Sequence, residues 1–125
     1  MTADPRAVRF WRCALVLSIL AQLLALYWPR PRVPAGPPGS DLVVHVLLFA
    51  AVAGSAVMAG LAVLPVMVLL AGHAVLSEVA QHWVVPARSG DPLDTLADLV
   101  GTAAGAGVAW SCRSRCGRRQ GTRGG

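Results

Sequence analysis

The sequence has no lysine; all eleven of its basic residues are arginine, and charged residues make up only 14% of its 125 residues. Cysteine is scarce as well. Cys13 sits inside the first apolar run, and Cys112 and Cys116 sit in an arginine-rich tail. Three cysteines so placed exclude a disulfide framework. A Cys-x3-Cys spacing with no histidine nearby favours free cytosolic thiols over a zinc site. The net charge of +5 invites a nucleic-acid partner, but the arginines lie almost entirely in the two tails and the first loop. No basic, aromatic-rich face is formed, so nucleic-acid binding is set aside. Arginine flanking apolar segments is instead what membrane topology requires.

What remains is apolar. Hydrophobic residues make up 55% of the chain and the mean hydropathy is +0.59, above the range of a soluble domain this small. The length allows one domain at most. After a tail over 1–12 carrying Arg6, Arg9 and Arg12, the first apolar run covers 13–28. A signal peptide would need a small-x-small cleavage site, whereas this run ends in Leu26-Tyr27-Trp28-Pro29-Arg30, so an uncleaved span is expected. Trp11 and Trp28 bracket it, and about 1.5 Å per residue between them gives roughly 26 Å, close to the hydrocarbon thickness.

The loop over 29–41 holds five prolines and is read as extended. Ser40 is placed as the N-cap of the next helix, with Asp41 in its first turn. From Leu42 to about Ala80 the chain is almost uninterruptedly apolar. At helical rise that is roughly 60 Å, twice a bilayer core, so it predicts a hairpin of two spans, 42–58 and 61–80. The turn is placed at Met58-Ala59-Gly60-Leu61, with Pro65 in the first turns of the third helix. A polar loop over 81–92 and a last apolar segment over 93–110 follow. Gly101, Gly105 and Gly107 weaken that segment as an isolated helix, so packing against its neighbours must hold it. An arginine-rich tail occupies 111–125.

The expected fold is therefore all-α, an integral membrane bundle of four transmembrane helices. The two tails carry Arg6, Arg9, Arg12 and Arg113, Arg115, Arg118, Arg119, Arg123, against Arg30, Arg32 and Arg88 on the other side. The positive-inside rule then makes both termini cytoplasmic. Trp11, Trp28, Trp83 and Trp110 fall near segment ends, as interfacial residues should.

That topology gathers five of the six acidic residues at the outer ends of helices two, three and four: Asp41, Glu78, Asp91, Asp94 and Asp98. Asp41 with His45, Glu78 with Gln81, and Asp94 with Asp98 are each spaced by three or four, which puts both members on one helical face. On helix four the stripe continues to Gly101 and Gly105, a Gly-x3-Gly that lets a partner helix approach closely. Four acids from Glu78 to Asp98 face Arg88 alone. Some of them must be protonated, paired with His45 or His82, or bound to a cation. His45, Glu78, His82 and Asp94 are the residues from which a metal site would be built, although they form no recognised ligand motif. His73 lies away from this level and is read as a buried, hydrogen-bonded histidine. A structural polar cluster locking helix ends remains the alternative to a ligand site.

The residues Asp41-Leu-Val-Val-His45, Glu78-Val-Ala-Gln81, Pro86-Ala-Arg88 and Asp94-Thr-Leu-Ala-Asp98-Leu-Val-Gly101-Thr-Ala-Ala-Gly105 resemble the VanZ-like family of bacterial membrane proteins. Its pattern reads D-K-x-x-H, E-x-x-Q, P-x-R and D-x-x-x-N-x-x-G-x-x-x-G. The resemblance covers about residues 41–110. Leu42 stands where the family has lysine, and Asp98 where it has asparagine. The family takes its name from a protein associated with teicoplanin resistance, so the resemblance implies a multipass protein of the cell membrane with a cell-envelope role, not a reaction.

On this reading Asp41, His45, Glu78, Gln81, Arg88, Asp94 and Asp98 form an outer-face ligand site that contacts membrane lipid and an envelope precursor or glycopeptide target. Arg88 would meet a phosphate or carboxylate with its guanidinium fork. No cofactor is expected. A membrane-embedded enzyme acting on a lipid-linked phosphate or ester is the second reading, with paired carboxylates and His45 as acid and base, though no nucleophile motif accompanies them. A structural or assembly protein is the third.

Overall fold

The computed structural model describes residues 4–28, 37, 39–85 and 91–121, and among them every regular element is helical. Four helices follow in order: α1 (Pro5–Tyr27), α2 (Ser40–Met58), α3 (Val63–Trp83) and α4 (Pro92–Gly121). Three of them, α1, α2 and α3, are long and apolar enough to cross a membrane. Their side chains are distributed inside out relative to a water-soluble bundle. Leu64 and Leu69 are each 72% exposed, whereas Gln22, Gln81, Asp98 and Thr102 are at most 2% exposed. In water that arrangement would leave most of the apolar surface wet; in lipid it costs nothing and hides the polar groups. The chain is a membrane protein by this criterion.

Three helices run beyond the apolar stretches that announce them. α1 begins at Pro5, not near Cys13, because Asp4 caps it: its carboxylate accepts from the Arg6 N–H at 2.9 Å, and Pro5 takes the first helical position. Asp before Pro is a strong start signal in its own right, independent of hydropathy. α4 continues through the arginine-rich segment to Gly121, so Trp110 lies within a helix and not at its end. The third helix also extends further than expected, to Trp83. At the start of α2 the cap position belongs to Gly39, in the left-handed region at φ 82°, and Ser40 is already helical with no side-chain cap bond. Asp91 caps α4, its carboxylate accepting from the Leu93 N–H at 2.9 Å.

The α2–α3 turn falls at Ala59-Gly60. Gly60 adopts φ 107°, its N–H reaches the Val57 carbonyl and the Leu61 N–H reaches that of Ala56, both at 3.1 Å. This is the paired 5→2 and 6→1 closure that a left-handed glycine permits. Arg113 of α4 adds a charge-assisted lock, donating from Nη1 to the Val57 carbonyl at 2.7 Å and to that of Leu61 at 3.3 Å. A cation there also suits the negative end of the α2 dipole.

These contacts define two ends of the bundle. The start of α1, the α2–α3 turn and the later part of α4 share the arginine end; the end of α1, the start of α2, the end of α3 and the start of α4 share the acidic end. α2 is the centre, packed most extensively against α4, which runs parallel to it, and also against α1. The α2–α4 approach is backbone to backbone. A Cβ on Gly101 would sit against the Val46 carbonyl and 3.0 Å from its Cα, and one on Gly105 against the Ala50 carbonyl and 2.7 Å from its Cα. Phe49, Val52, Ala53, Ala56 and Val57 of α2 form the core, completed by Leu26, Val66, Leu70, Ala74, Ala106 and Ala109.

Gly105→Ala should therefore destabilise the protein by about 1–3 kcal/mol, the cost of overpacking a close contact. Gly107 has open space around it, so Gly107→Ala should be neutral or stabilise by up to ~1 kcal/mol through helix propensity. Denaturation of both variants in mixed micelles, followed by circular dichroism, checks the contrast.

Candidate functional site

The centre of the acidic end is His45, 5% exposed and one turn into α2. Its ring is held from α4 on both sides. Nδ1 donates to Asp98 Oδ1 at 2.8 Å, while Nε2 faces Asp94 Oδ2 at 3.6 Å. Asp98 is 1% exposed. The spacing of four along α4 places Asp94 and Asp98 on the face that Gly101 and Gly105 press against α2, which is why both carboxylates meet one imidazole. The Thr102 hydroxyl, one turn further, donates to the Asp98 backbone carbonyl at 2.8 Å.

Glu78 enters from α3. Its carboxyl lies near enough to Asp94, His45, Asp91 and Asp98 for their charges to act on it. One oxygen, Oε1, is fully enclosed and accepts no hydrogen bond. A buried acceptor left unmade carries a desolvation penalty of about 1–3 kcal/mol, and such groups in a native structure call for a reason. A ligand donor is one.

The remaining residues of the expected site divide. Gln81 is buried, and its Nε2 donates to the Leu26 carbonyl at 3.1 Å, satisfying an end carbonyl of α1. Its role here is to join α3 to α1. Asp41 is exposed in the first turn of α2. His82 is exposed and stands edge-on to Trp83. Among the described residues no three His, Cys, Asp or Glu side chains converge to hold a metal ion. Arg88 lies outside the described residues.

A second polar group was not anticipated as a set. His73 is bonded on both ring nitrogens, to Gln22 Nε2 and to the Tyr27 hydroxyl, each at 3.3 Å, and its ring stacks on Phe49 with centroids 5.7 Å apart. Gln22, a lone amide within the first apolar run, was the available signal: an intramembrane polar side chain must find a partner. Lower in the bundle, Ser18 and Ser55 meet at 3.2 Å. Compared with protein-family models, curated proteins and solved structures, the chain matches none.

Removing His45 strands the buried Asp98 carboxylate, so His45→Ala should cost about 3 kcal/mol or more. Asp98→Asn keeps an acceptor for Nδ1 and should cost much less. A double-mutant cycle in the same unfolding assay measures the coupling; equal losses in both variants would contradict the pairing.

Proposed function

We propose that the chain is a VanZ-like multipass protein of the bacterial cell membrane whose acidic end faces outward and binds a hydrogen-bond-donating group of a cell-envelope component. The motif resemblance over about 41–110 supports the family. The orientation rests on charge: both arginine-bearing ends lie at one end of the bundle, and the positive-inside rule turns that end to the cytoplasm. α4 is the fourth span on this reading. Its hydropathy is lowered by Asp94 and Asp98, but the helix is 30 residues long and its carboxylates face α2, where they need not meet lipid.

The observation that carries the functional reading is the enclosed, unpaired Glu78 oxygen beside the Asp94–His45–Asp98 array. An array rich in acceptors suits a ligand amine or amide N–H. Both nitrogens of His45 face carboxylates and no nucleophile motif accompanies them, which favours binding over an enzyme acting on a lipid-linked phosphate or ester. A glycopeptide of the teicoplanin type, or the envelope precursor it targets, presents such donors.

Expression in a sensitive Gram-positive host should reduce teicoplanin susceptibility. Glu78→Ala and Arg88→Ala should abolish that effect while epitope-tagged protein stays at wild-type levels in the membrane. Unchanged protection in both variants would end the proposal, and loss of membrane protein in Glu78→Ala would instead mark the cluster as structural.

A further inference from the structure

At the arginine end, the described backbones of α1 and α4 stand apart. They stand as the two walls of a groove whose floor is α2. Trp11 forms one wall, Ala104, Val108 and Cys112 the other, and Ala50 and Gly54 the floor, around about 460 Å³. That volume lies in the range that small organic ligands fill. The groove exists because its floor and far wall are built from small residues where a leucine would close it. The Ser55 hydroxyl at its edge is turned to the Ala51 carbonyl and to Ser18, so the lining presents an apolar surface.

Arginines follow the lining residues in sequence on both walls. On α4 the lining stripe of Ala104, Val108 and Cys112 continues at helical spacing to Arg115, and on α1 Arg12 directly follows Trp11. Both arginines are exposed. An apolar slot with Arg115 one turn beyond it on the lining stripe of α4 and Arg12 next to Trp11 on α1 suits an acyl chain under an anionic headgroup. A second copy of the chain fits less well, since it would bring its own Arg12 and Arg115 against these.

We infer that this groove is a binding site for an anionic phospholipid, one acyl chain lying on α2 between α1 and α4 and the phosphate meeting Arg12 and Arg115. The site is separate from the acidic end and does not depend on what binds there.

The test uses the purified full chain in neutral detergent, with phosphatidylglycerol or phosphatidylcholine added and retained lipid counted by native mass spectrometry. Phosphatidylglycerol should be retained at about tenfold lower concentration than phosphatidylcholine. Ala104→Phe, at an exposed position, should remove the retention by filling the slot. The double variant Arg12→Gln, Arg115→Gln should lose the preference while keeping weak retention of both lipids. Equal retention of the two lipids by the wild type would overturn the inference. So would undiminished phosphatidylglycerol retention in a folded Ala104→Phe, or a lipid-free dimer that this substitution dissolves.

Discussion

Gly101 and Gly105 let the backbone of α4 lie directly on Val46 and Ala50 of α2, and the acidic end depends on that contact. With α4 held so close and parallel to α2, Asp98 falls beside His45 at 2.8 Å, with Asp94 on the other ring nitrogen. A side chain larger than hydrogen at either glycine would move both carboxylates away from the imidazole. Close packing of small residues is also what drives helix association in lipid, where apolar surface gains nothing by leaving one hydrocarbon environment for another. The glycines that weaken α4 by propensity are thus what allow it to be held.

Around that contact, polar links tie the other helices at successive levels. Gln81 reaches the end of α1, His73 joins Gln22 and Tyr27, Ser18 meets Ser55, and Arg113 closes the α2–α3 turn. Interhelical hydrogen bonds in membranes average about 0.6 kcal/mol, so no single link fixes the bundle. They fix its register. Each satisfies a group that lipid would leave unpaired, and Glu78 Oε1 stands out because it alone among the described buried side-chain oxygens and nitrogens lacks a partner.

Much of this was legible in the sequence, for identifiable reasons. The hairpin of α2 and α3 followed from an apolar run twice the bilayer thickness, and its turn from Gly60, the residue free to adopt φ 107°. The His45–Asp94–Asp98 grouping followed from helical spacing plus antiparallel connection. The helix ends were less visible because apolarity was taken as the boundary: the Asp4-Pro5 cap and the helical arginine segment after Trp110 are polar, yet helix formation there needs only good local propensity. Spacing put Gln81 on one face with Glu78 but could not show that its amide reaches the Leu26 carbonyl, since spacing gives a face and not a rotamer. The His73 group draws on α1 and α3, and the contact with Phe49 draws on α2; Gln22 and His73 each signal the need for a partner, but nothing local to either helix shows that they meet.

The most direct test asks which side of the membrane the acidic end occupies. In a chain whose Cys13, Cys112 and Cys116 are replaced by serine, single cysteines are introduced as Asp41→Cys and Arg115→Cys, and intact cells are treated with a membrane-impermeant maleimide. The account predicts that Asp41→Cys is labelled from outside and Arg115→Cys only after lysis. Labelling of Arg115→Cys in intact cells, with Asp41→Cys protected, would put the carboxylate–imidazole array on the cytoplasmic side and contradict an envelope-facing site.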